Sequence, residues 1–197
     1  MDARLIMGLA SGLDPWQSRL MRCSLEFHPD TPCQAVTAIE VEVSRPGEGQ
    51  LVLEYRVIGE IEALKVPTLG PPERTNELWR HTCFEIFVRE GERAAYGEFN
   101  FSPSTRWAAY SFTGTRTGMT DIAMSGPGIA SSVEHGVFTL HASIEGSFCG
   151  PLRLAISAVI EDKDGAVSYW ALTHPASRPD FHHPAGFVLD LPAPERT

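Results

Sequence analysis

Lysine is almost missing from this chain: Lys65 and Lys163 are the only two in 197 residues. Sixteen basic side chains face 25 acidic ones, for a formal net charge of -9, and the basic residues form no cluster. A nucleic-acid binder needs a basic face to collect phosphates, so that class is excluded. A polybasic contact with an anionic membrane surface is excluded on the same ground. No apolar run approaches the roughly 18 residues of a membrane-spanning helix. The stretch from Met1 to Gly12 holds one acid, one base and a short mixed apolar run, unlike a secretory leader. No C-x-x-C pair occurs among Cys23, Cys33, Cys83 and Cys149. The expectation is a cytoplasmic protein whose four cysteines stay reduced and act as small buried hydrophobes. Catalytic signatures are missing too: there is no G-x-S-x-G elbow, H-E-x-x-H pair or P-loop.

Helix signals are few. Asp14-Pro15-Trp16-Gln17 reads as a cap for one short turn running to Arg19, within an N-terminal extension over 1–20. The dominant pattern has period two, the alternation of a half-buried strand. Ile39, Val41 and Val43 alternate with polar neighbours, and Leu51, Leu53, Tyr55 and Val57 do so after Pro46-Gly47-Glu48-Gly49, which predicts a hairpin. Further apolar faces run through Phe84 to Val88, Phe99 to Phe101, Trp107 to Phe112, Val137 to Ile144, Leu152 to Glu161, Val167 to Leu172 and Phe187 to Leu191. With Met21 to Phe27 they make about ten strands at the spacing of an antiparallel β-sandwich or jelly roll. Composition does not shift along the chain, so 21–197 is read as one all-β domain.

Two Pro-rich stretches, 65–80 and 174–186, are long enough to carry a binding site. The first leads through Trp79, Arg80 and His81 into a strand. With Phe84, Ile86 and Val88 turned inward, Cys83, Glu85 and Phe87 share the opposite face. On the next strand, Tyr96, Glu98, Asn100 and Ser102 share that opposite face, so a hairpin across Glu90 to Ala95 brings Glu85 near Glu98 or Asn100. A Glu on such a face is ordinarily solvated, or paired with an Arg such as Arg56 or Arg89. The second stretch carries His174, Asp180, His182 and His183.

Three blocks carry a family resemblance: Leu78-Trp79 leading into Cys83-Phe84-Glu85-Ile86-Phe87, then Tyr96 to Pro103 with Trp107, then Trp170 to His174 with Pro179 to His182. They resemble the DOMON-like domains related to family 9 carbohydrate-binding modules, in particular a bacterial subgroup, over about Met21 to Leu191. The resemblance implies an antiparallel sandwich whose members bind sugars or haem. Sugar recognition takes aromatic rings for stacking, plus carboxylates, amides and Arg for hydroxyls. The candidate ligand-binding residues are therefore Trp79, Arg80, His81, Glu85, Asn100, His174, Asp180 and His182, gathered at one face or end of the sandwich. Trp107 and Trp170, lying within strands, are read as core.

Competing readings follow from the same residues. Haem would use an axial pair such as Met119 or Met124 with His174 or His182, but no C-x-x-C-H attachment motif is present, and no cofactor is expected. Asp180, His182 and His183 have ligand chemistry for a metal. Between Pro179 and Pro184, however, the preferred reading is that Asp180 caps a turn and His182 bonds backbone. A hydrolase would use Glu85 and Glu98 as paired carboxylates, or His81 or His141 with a serine. The expectation is a non-catalytic module for a carbohydrate or another polar small molecule. The alternative is an interaction or homodimerisation module joined through edge strands.

Overall fold

The computed structural model describes residues 20–193. The N-terminal extension, but for Leu20, and its turn at Asp14 to Gln17 lie outside the described residues. Twelve strands follow in chain order: β1 (Met21–Phe27), β2 (Val36–Ser44), β3 (Gln50–Gly59), β4 (Cys83–Glu90), β5 (Tyr96–Phe101), β6 (Trp107–Phe112), β7 (Thr120–Asp121), β8 (Gly128–Glu134), β9 (Val137–Glu145), β10 (Leu152–Glu161), β11 (Val167–Ala171) and β12 (Leu189–Leu191). All pair antiparallel, in the order β7-β6-β5-β4-β10-β11-β1-β2-β3-β9-β8, with β12 beside the start of β10. This is an antiparallel β-sandwich. The strand β1 belongs to both layers, since Met21 to Leu25 pair with β2 while Glu26 and Phe27 pair with β11.

Alternation explains the layers. In β2 and β3 every second residue is buried, and Ile39, Val43, Leu51, Leu53, Tyr55 and Val57 are fully so. These side chains meet Phe84, Ile86, Ile156 and Ala158 from the other sheet in one continuous core. Tyr55 and Phe84 lie 5.0 Å apart across the layers, and Tyr55 Oη donates to the Glu85 carbonyl at 2.8 Å. Each fully buried Leu, Ile or Phe adds about 1.5–3 kcal/mol relative to exposure. The β2–β3 turn depends on Gly49, whose φ is +73°. A Cβ there would stand 2.3 Å from the Gly146 carbonyl oxygen, so only glycine fits.

The two predicted hairpins, β2–β3 and β4–β5, are present, and Glu85 stands opposite Asn100 as expected. Trp107 and Trp170 are core residues, as expected. Two further strands, β7 and β8, lie where no strand was expected. Most of their residues are exposed, so they carry no apolar alternation. The last strand is shorter than predicted: Phe187 stands outside it and packs on the far side of the β4 sheet. The cysteines are free, but not all are buried; Cys83 is buried, Cys23 and Cys33 partly so, and Cys149 is exposed.

The sheet containing β4, β5, β6 and β10 is covered on both faces, and this sets up the site. Beyond the main core, Phe87, Tyr96, Ala108, Tyr110, Phe112, Ala155 and Phe187 form a second apolar cluster on its outer face, with Leu78 and Phe181 against it. The covering material is the two Pro-rich stretches.

Candidate functional site

Under that cover, register places a polar row across the sheet. Ser157 of β10 is directly opposite Glu85 of β4, which is opposite Asn100 of β5. One step along, Glu98 of β5 stands between Phe87 and Tyr110. Glu85, Asn100, Glu98 and Ser157 are all buried, at 2%, 1%, 5% and 1% exposure. Ser157 Oγ donates to Glu85 Oε2 at 3.1 Å, and Asn100 Nδ2 donates to Glu98 Oε1 at 2.7 Å. Among the described residues the Asn100 side-chain carbonyl oxygen has no hydrogen-bond partner.

Two carboxyl groups in so dry a place cannot both ionise freely. Burial first, and then the charge of Glu98, push Glu85 up to about 8; the Ser157 hydrogen bond and Arg116 offset part of this. Burial raises Glu98 as well, against the Asn100 hydrogen bond and the Arg116 charge. At neutral pH Glu85 therefore carries its proton and offers a donor as well as an acceptor. Its expected solvation, or a pairing with Arg56 or Arg89, is not what the structure shows. Arg56 bonds Glu40 instead, and burial under the outer cluster replaces solvent around Glu85.

The 174–186 stretch closes over the row. The Asp180 carboxylate pairs with Arg116 at 2.8 Å and accepts the His182 backbone N–H at 3.1 Å. Burial alone would raise Asp180, but the Arg116 bond and charge outweigh it and hold it low. So Asp180 caps a turn, as expected, while His182 does not bond backbone through its ring. The Arg116 N–H donates to Tyr96 Oη, whose own proton then goes to His182 Nδ1 at 2.7 Å. That leaves the His182 Nε2 proton facing Glu98 Oε2 at 3.6 Å. Burial, then Arg116, lower His182 to about 4, so at neutral pH this contact is dipolar rather than an ion pair. The ring is seated among Phe87, Tyr96 and Phe112, each within 6 Å.

Of the candidate residues, Glu85, Asn100, Asp180 and His182 thus come together around Glu98. Trp79 and Arg80 form a short 3-10 turn, Leu78–Arg80, that packs over β4 and β5 with Leu78 on the outer cluster. Trp79 is 45% exposed at the rim, with the Arg80 guanidinium 5.4 Å from its ring. His81 and His174 are engaged elsewhere. His81 bonds Glu161 at 2.7 Å, beside Lys65. His174 donates to the Glu26 carbonyl at 2.8 Å and packs on His28. Glu26 lies in the same row as Glu85 but three strand spacings away, about 14 Å.

Sequence reasoning left four participants out of the candidate set. Glu98 and Tyr96 share the outward face of β5 with Asn100. Ser157 had a signal, a lone hydroxyl within the apolar run of β10. Arg116, in a turn with φ of +53°, had none. Among the described residues no group of three His, Cys, Asp or Glu has an arrangement that would hold a metal ion. Room in the row is small, a void of about 10 Å³ beside Ser157, Asp180 and Phe181. A larger cleft of about 620 Å³ opens at another place, between the sheets at Gly97, Phe99, Ile122, Met124 and Phe148, and contains none of the candidate residues.

No family model matches the sequence, and comparison with curated proteins gives no significant match. Solved structures do resemble it. A proposed carbohydrate-binding protein from Bacteroides uniformis superposes with a TM-score of 0.65 at 16% identity, over 85% of this chain and 84% of that one. Two structures of a family 9 carbohydrate-binding module from Caldicellulosiruptor kristjanssonii align at TM-scores below 0.5. The one with glucose gives 0.43 at 12% identity over 85% and 81% of the chains; the one with cellotriose gives 0.46 at 14% over 100% and 89%. The Bacteroides likeness establishes a shared sandwich fold.

Proposed function

We propose that this domain is a non-catalytic carbohydrate-binding module of the DOMON-like type, with the Glu85–Asn100 row and the Trp79 rim as its site. One observation carries the reading: among the described residues the buried side-chain carbonyl of Asn100 has no partner, in a row that also holds a protonated carboxyl, a second carboxyl and a serine hydroxyl. Buried polar groups are nearly always satisfied, so an orphan acceptor beside donors is a place for a ligand hydroxyl. The exposed Trp79 face supplies stacking area at the edge of the same surface.

Access requires movement. Because the row is covered, a sugar reaches it only as the 174–186 stretch or the Leu78–Arg80 turn is displaced, and binding includes that cost.

A thermal-shift screen against glucose, cellobiose and xylose tests the proposal. A ligand at 100 times its dissociation constant stabilises the fold by about 2.7 kcal/mol, a shift of several degrees. The expected result is a shift with at least one sugar, lost in both Trp79→Ala and Asn100→Ala. A flat screen with all three sugars overturns the proposal and favours the alternative, an interaction module; the free edge of β8 is the feature that speaks for it.

A further inference from the structure

The outer face of the same sheet carries an unusual pair of arginines. Arg153 of β10 is directly opposite Arg89 of β4. Like charges in directly opposite positions destabilise a sheet, so the arrangement runs against folding stability. Arg153 has acidic company: Glu92 at 3.5 Å and Asp190 at 3.2 Å. The Asp190 contact is at ion-pair distance without the angle of a hydrogen bond. Both acids are highly exposed, at 89% and 78%, and such pairs hold loosely in water.

Arg89 has no acid or hydrogen-bond acceptor in contact among the described residues. Its Nε is buried without a partner, and its guanidinium lies on the Phe187 ring at 3.9 Å. Phe187 in turn packs edge-on against Phe87 and Tyr96, which border the Glu85–Glu98 row. Burial and the Arg153 charge work against the charged form of Arg89, and Glu92 offsets them only from a distance, so a half-buried arginine beside a second arginine is a poor device for stability. It is a good one for an anion, because a planar guanidinium takes two oxygens at once.

We propose that Arg89, braced by Phe187 and flanked by Arg153, is an anion subsite that holds the carboxylate or sulfate of an acidic saccharide whose neutral ring lies toward the Glu85–Asn100 row. This rests on the carbohydrate reading for the ring and goes beyond it for the charged group. Neutral sugars remain ligands, and uronates or sulfated sugars bind more tightly than they do.

Isothermal titration with sodium glucuronate, glucose 6-sulfate and glucose separates the possibilities, using the wild type, Arg89→Gln, Arg89→Lys and Asn100→Ala. The expected result is that at least one acidic sugar binds the wild type tenfold or more tighter than glucose. Arg89→Gln removes that advantage and leaves any glucose affinity unchanged; Arg89→Lys restores it only in part. Which acidic sugar is preferred tells carboxylate from sulfate. If glucose binds as well as both acidic sugars, or if Arg89→Gln leaves all three unchanged, the subsite is overturned while the carbohydrate reading stands. If an acidic sugar binds through Arg89 but Asn100→Ala does not weaken it, the subsite stands and the Glu85–Asn100 row is not the ring site. Absence of binding by all three sugars overturns both.

Discussion

Glu85 shows how far a strand position can depart from its sequence appearance. Its neighbours and its alternation mark it as an ordinary outward carboxylate, yet the C-terminal stretch closes over it and raises it to about 8. The consequence for stability has a definite sign. Between the ordinary carboxylate range and about 8, the folded state holds the Glu85 proton and the unfolded chain has released it, so stability falls by about 1.4 kcal/mol for each pH unit. His182 acts in the opposite direction. Lowered to about 4, it favours the folded state increasingly as pH rises from there to its ordinary value near 6.5, and it is silent above that. The two oppose each other below pH 6.5, which leaves pH 6.5 to 8 as the window where the carboxyls act without His182. Melting temperature in the wild type is expected to decline across that window. In Glu85→Gln, which keeps the shape and a donor, the decline is expected to shrink markedly; an equal decline in the variant would mean that Glu85 is not the group responsible.

Among the strands and loops, the contact between Arg116 and Asp180 is the fastening of the cover. Both side chains retain solvent access, so the pair contributes only about 0.2–1 kcal/mol. Asp180→Asn therefore weakens the closed arrangement without unfolding the sandwich, and sugar affinity is expected to rise up to about fivefold by titration. A fall in affinity would make Asp180 a direct ligand of the sugar instead. Sequence carried most of this architecture: ten of the twelve strands, both hairpins and the shared face of Glu85 and Asn100 follow from alternation and turn residues. The edge strands β7 and β8 escaped because side chains exposed to water on both faces impose no period. The outer aromatic cluster escaped for a different reason. Phe87, Tyr96 and Tyr110 stand on adjacent strands, but Phe187 comes from the far end of the chain, and only the fold of the C-terminal stretch back over β4 reveals that the outward face is also buried. His81 and His174 had the right chemistry for a site, but the elements carrying them direct their rings to Glu161 and to the Glu26 carbonyl.

For the molecule as a whole, the sandwich has two buried faces on one of its sheets, and polar groups are concentrated under the second cover. A fold needs the first face; nothing in folding stability requires two carboxyl groups and an orphan amide carbonyl in the second, since well-packed apolar residues would serve there at no desolvation cost. The ligand-binding account explains their presence and assigns the rim tryptophan to the same surface. The 620 Å³ cleft near Met124 shares Tyr96 and Phe112 with the border of this row but none of Glu85, Glu98, Asn100 and Ser157. Nuclear magnetic resonance of isotopically labelled protein titrated with glucose and cellobiose distinguishes these locations directly. The Asn100 side-chain amide and the Trp79 indole N–H are expected to shift together, saturating at one affinity, with the largest backbone changes in 174–186. Shifts confined to Gly97, Ile122 and Phe148, with Asn100 and Trp79 unmoved, would contradict the account and locate binding in the cleft.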